Sequence, residues 1–159
     1  MCYLTVLSTT TDQDLTAFNA EGVCFSRDLP GIPQEQFLRY PQQWYVGSAH
    51  GCSCGFRHLM ACNFSDLGFA EPVDWFEEDS EDIAATLSLV KALRQIAATG
   101  ARLDCVDAWE GDSQDDAVLA GEVVVDFARI SDPAFRLIEG YHLEFVGAAG
   151  AAQVMEEVD

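Results

Sequence analysis

The chain has 159 residues, 49% of them hydrophobic, including ten Phe, four Tyr and three Trp, and a formal net charge of −19. That size and apolar content suit a single domain burying about two thirds of the surface its unfolded chain exposes, and they exclude a wholly disordered protein. So negative a field repels phosphate backbones and anionic headgroups, which argues against nucleic-acid and membrane-surface partners and leaves a metal ion, a basic protein or a second copy of the chain.

The charge is unevenly placed. Residues 1–60 hold five acids against Arg27, Arg39 and Arg57, so nearly all of the net charge comes later in the chain. No apolar run approaches the about 18 residues of a membrane span, and Met1–Leu7 is too short and lacks the basic flank of a secretion signal. A cytoplasmic location is therefore expected, where six cysteines stay thiols or metal ligands rather than disulfides.

In chain order, Cys2–Leu7 is apolar on nearly both faces, as a strand interior to a sheet would be. Thr11 and Asp14 precede Leu15 and Phe18 in the pattern of a capped short helix. Gly22–Arg27 alternates as a strand, with Val23 and Phe25 on one face. Two prolines and a glycine make 29–33 a loop, and Trp44–Val46 is the next strand.

Residues 71–82 carry seven acids and no base, as expected of a solvated loop feeding a helix N-terminus. The helix itself is expected at about 80–99, capped by Asp79 or Ser80 and ended by Gly100. Ile83, Leu87, Val90, Leu93 and Ala97 form its apolar face, widened by Leu89 and Ile96, and the stem of Arg94 snorkels beside it. Strands follow at 103–109, 123–127 and 141–145, with a helical turn after Asp132-Pro133. The acids at 110–116 lack the alternate spacing of a calcium loop. His142, between Tyr141 and Leu143, reads as a structural or surface residue rather than a ligand. The whole is an α+β domain spanning 1–147: a mostly antiparallel sheet of five to seven strands, one long helix on a face, one or two short helices, and an acidic tail at 148–159.

Chemistry concentrates in residues 48–62, Ser-Ala-His-Gly-Cys-Ser-Cys-Gly-Phe-Arg-His-Leu-Met-Ala-Cys. Thiolate and imidazole are zinc's preferred donors, and His50, Cys52, Cys54 and His58, with Cys62 in reserve, are the expected metal ligands. Glycines 51 and 55 let the backbone curl so that both sulfurs aim at one point; an extended segment would instead place His50, Cys52, Cys54, Phe56 and His58 on one face. With a water as fourth ligand the site would be catalytic, Asp66 or Glu71 accepting a proton.

Two alternatives use the same residues. Cys52 and Cys54 are a candidate thiol redox pair, activated by Arg57, His50 or His58, although such pairs ordinarily have two residues between the sulfurs. Gly51-Cys52-Ser53-Cys54-Gly55 also matches a nucleophile elbow, without the alternating βα pattern that motif needs. The remaining possibility is a non-enzymatic interaction module in which 47–55 is a tight turn, with no metal or reactive thiol, binding something basic or a copy of itself.

Overall fold

A computed structural model describes residues 3–49, 51–59, 79–109 and 119–147. Six strands form one sheet in the order β2-β3-β1-β5-β8-β6: β1 Tyr3–Thr9, β2 Cys24–Ser26, β3 Gln42–Gly47, β5 Leu103–Trp109, β6 Gly121–Asp126 and β8 Tyr141–Val146. All neighbours pair antiparallel except β6 with β8, which is parallel at the edge. The two short strands β4 His58–Leu59 and β7 Leu137–Ile138 pair parallel beside it. The fold is α+β, as the element order implies. Segments expected beyond residue 147, at 110–116 and over most of the acidic run 71–82, lie outside the described residues.

Strand β1 is apolar on both faces because it has strands on both sides and packing above and below. Leu7 and its cross-strand partner Cys105 face the long helix α1, Ser80–Ala98, whose Leu89, Leu93 and Ile96 are sealed against them. Val6 and its partner Val106 face the other way, onto Ile32 and Ala108. Helix α1 begins where the sequence indicates: the Asp79 carboxylate accepts the Glu81 N–H at 2.9 Å, Glu81 and Asp82 occupy the first turn, and Gly100 follows the last turn with φ +93°.

Two local expectations are refined. The short helix near the N-terminus is a 3-10 turn, Leu15–Phe18, capped by Asp14 rather than Thr11, because the Asp14 carboxylate takes both the amide and the hydroxyl of Thr16. Arg94 does more than snorkel. Its guanidinium donates to Asp132 Oδ1 and to the carbonyls of Phe127 and Ile130, so the turn after β6 is tied to α1 by fixed hydrogen bonds.

Two polar cross-strand pairs interrupt the apolar pattern of β1 and β5. Thr5 lies opposite Asp107, and Ser8 opposite Asp104. Thr5 and Ser8 are three positions apart, an odd offset, so the pairs emerge on opposite faces of the sheet, and both carboxylates are fully buried. Charges this deep persist only if paired and hydrogen-bonded.

Candidate functional site

The thiol stretch leaves β3 at Gly47 and folds back on itself as a closely bonded loop. Ser48 N–H donates to the Cys52 carbonyl at 2.8 Å, Ser48 Oγ donates to the same carbonyl at 2.6 Å, and Ser48 Oγ accepts the Gly55 N–H at 3.2 Å. Gly51 turns the chain with φ +87°, and a Cβ at Gly55 would stand 2.4 Å from Ser48 Oγ. Both glycines are therefore structural requirements of the curl. Residues Ser53–Gly55 form one 3-10 turn, so the segment is curled and not extended.

Ser53 is the pin of this loop. Its hydroxyl donates to the Val46 carbonyl at 2.6 Å and accepts the Thr5 N–H at 3.0 Å, and the residue is completely buried between β1 and β3. That placement leaves no hydroxyl for nucleophilic attack. The flanking Cys52 and Cys54 are half-buried at the sheet rim, both as thiols rather than a disulfide. Cys54 Sγ accepts the Tyr3 N–H at 3.1 Å. Phe56, which an extended segment would have put beside the sulfurs, is sealed in the main core instead.

His58 is held from both ends. Nδ1 lies 2.7 Å from Asp107 Oδ2, and Nε2 lies 2.7 Å from the Ser53 carbonyl oxygen. A carbonyl can only accept, and an ionised carboxylate can only accept, so both ring nitrogens carry protons and the group is an imidazolium. Burial alone would lower its pKa; the Asp107 charge, its hydrogen bond and the Ser53 carbonyl outweigh that and raise it. The Tyr3 ring stacks on the imidazolium at 3.8 Å, tilted by 5°, and Trp109 meets Tyr3 edge-on. Burial, then the bond from its hydroxyl to Glu139 at 3.0 Å, drives the Tyr3 phenol well above its usual pKa and keeps it a neutral donor. Thr5 Oγ1 completes the unit, donating to Asp107 Oδ1 at 2.9 Å.

Of the donors singled out by spacing, Cys52, Cys54 and His58 are thus placed on one loop, with the imidazole committed to protein acceptors; His50 and Cys62 lie outside the described residues. Among the described residues the gathering of three donors within 4.8 Å is elsewhere: Asp104, His142 and Glu144. Spacing had no means of finding it, since its members come from β5 and β8. The signal that existed was two aspartates inside an otherwise apolar strand, Leu103-Asp104-Cys105-Val106-Asp107.

That second cluster is already saturated. Asp104 accepts from the Ser8 hydroxyl, from the Arg39 N–H at 2.9 Å and from His142 Nε2 at 2.7 Å. Glu144 receives Arg39 Nη1 at 3.0 Å and the Tyr40 hydroxyl at 2.5 Å, and Arg39 Nη2 reaches Glu122 at 2.9 Å. Burial and the Glu144 contact push the Tyr40 phenol up to about 12, so it too donates as a neutral group. The Arg39 guanidinium bridges Glu144 and Glu122, so the Glu144 carboxylate already has a cationic partner. Nor is Ser8–Asp104–His142 a nucleophilic triad, because the carboxylate sits between hydroxyl and imidazole, whereas activation requires the imidazole on the hydroxyl.

No helix among the described residues is long and apolar enough to cross a membrane. No family model matches the chain, and neither the curated proteins nor the solved structures yield a match.

Proposed function

We propose that the protein binds a soft transition metal, zinc foremost, through the thiolates of Cys52 and Cys54, in the reducing setting of the cytoplasm. The observation that carries this is the placement around Ser53: one buried hydroxyl pins the loop, while the sulfurs on either side of it stand half-buried at the rim. The Tyr3 N–H on Cys54 Sγ favours the thiolate, the form that ligates metals. His50 and Cys62 are the further donors this reading calls on. His58 is a weaker candidate than its spacing suggests, because ligation would take Nε2 from Ser53 or Nδ1 from Asp107; its part is to hold the loop.

Elemental analysis of untagged protein tests this. One equivalent of zinc, lost on Cys52→Ser and on Cys54→Ser but retained on His58→Gln, supports the thiolate site with His58 as its clamp. Metal-free protein in which Cys52 and Cys54 alone label rapidly favours thiol redox chemistry instead. Metal-free protein with slow labelling at every cysteine overturns both and leaves a non-enzymatic binding module.

A further inference from the structure

Away from the thiol loop, a cleft of about 520 Å³ opens at the β2–β3 end of the sheet, lined by Asp12, Asp14, Phe25, Arg27, Asp28 and Trp44, among others. The three aspartates are exposed, and the Thr16 hydroxyl and amide hold the Asp14 carboxyl below the usual range. One cation is already seated there: the guanidinium of Arg27 lies 4.0 Å from the Trp44 ring centroid, tied to the Gln43 carbonyl and Gln42 Oε1. The ring face thus accommodates a planar cation, the chain's own Arg27. Trp44 is only 2% exposed, yet its indole N–H has no hydrogen-bond partner. A buried donor without an acceptor is uncommon and points to something that supplies one.

An occupant must therefore bring positive charge for the carboxylates and the ring, together with a neutral oxygen acceptor for the indole. A bare metal ion lacks the acceptor. A phosphate ligand has acceptors but meets three carboxylates and a net charge of −19. A peptide containing arginine or lysine has both, in its side chain and its main-chain carbonyl. We infer that this cleft docks a basic segment of another protein, whose cationic side chain displaces the exposed Arg27 from the Trp44 ring and so opens the indole N–H to a peptide carbonyl. The inference is independent of the thiol site.

The test is titration of the full-length protein with capped tetra-arginine, read by calorimetry and by the Trp44 indole ¹H–¹⁵N signal, assigned through Trp44→Phe. Saturable binding that shifts this signal is expected. Asp12→Asn/Asp28→Asn should weaken it by about tenfold, and Arg27→Ala, which clears the ring, should tighten it. The charge-matched control Glu21→Gln/Glu81→Gln should leave affinity within about twofold. Equal weakening by cleft and control pairs means diffuse attraction to an acidic surface and overturns the inference, as does an unmoved indole signal. A shift of that signal on raising protein concentration without peptide assigns the cleft to a second copy and overturns it equally. The substituted aspartates are exposed, and matching unfolding midpoints confirm that the variants remain folded.

Discussion

Two units built on the same cross-strand pairing stand on opposite faces of β1 and β5, and they differ in what completes them. Thr5, Asp107 and His58 lie on the helix side; Ser8, Asp104 and His142 lie on the other. In the first, the histidine is the hub, with an acceptor at each nitrogen and an aromatic ring on its face. In the second, the carboxylate is the hub, taking three donors, while His142 Nδ1 stands 3.5 Å from Glu122. The same strand register thus carries a histidine hub on one face and a carboxylate hub on the other. What surrounds each pair, and not its residue types, decides which group gathers the hydrogen bonds.

The largest break in this comparison comes from removing the carboxylate hub. Asp104→Ala strands Ser8, Arg39 N–H and His142 at once, and a loss of about 3–5 kcal/mol in urea unfolding is expected, since each buried donor left without an acceptor costs about 1–3 kcal/mol. His58→Gln should cost about 1–3 kcal/mol, since Asp107 keeps Thr5 but loses its counter-charge.

The His58 unit makes stability depend on pH. Because the folded pKa of His58 lies above the unfolded value of about 6.5, the native state binds the extra proton between those two values. Its contribution is complete below about pH 6.5 and is lost as pH rises through the folded pKa. Wild-type stability should therefore fall with rising pH in that window, by at most about 1.4 kcal/mol per pH unit from this group, relative to His58→Gln. A difference curve that rises with pH would contradict the doubly protonated ring.

Smaller effects sharpen the contrast. Ser53→Ala removes the pin under the thiol loop and should cost on the order of 1 kcal/mol, with faster labelling of Cys52 and Cys54 and no change around His142. Arg39→Ala touches only the second unit. With Arg39 and Glu122 about half exposed, it should cost less than about 1 kcal/mol and the cost should shrink in high salt.

Elements governed by local pattern were legible in the sequence. Helix α1 announced itself through the Asp79 cap, its apolar stripe and Gly100, and β1 through its two apolar faces, because caps and periodicity are encoded within a few residues. The glycines at 51 and 55 left that segment either curled or extended, and only the structure decides for the curl. What spacing could not reveal was the fate of each imidazole. His58 looked like a ligand because it stands near cysteines in the chain; its actual partner, Asp107, is 49 residues away. His142 reads as a structural or surface residue; it is buried, and the carboxylate it bonds comes from a different strand. Parallel pairing of β6 with β8 is likewise a tertiary choice, since the strands themselves read only as alternating apolar segments.

The register joining β1 to β5 has a consequence for how the chain is made. Thr5 and Asp107 are 102 positions apart, and β3 supplies a neighbour for only one side of β1. During synthesis the first strand must wait, half-matched, until most of the polypeptide has left the ribosome. Closure of the sheet's centre is then a late, long-range event, and this protein should assemble slowly for its size.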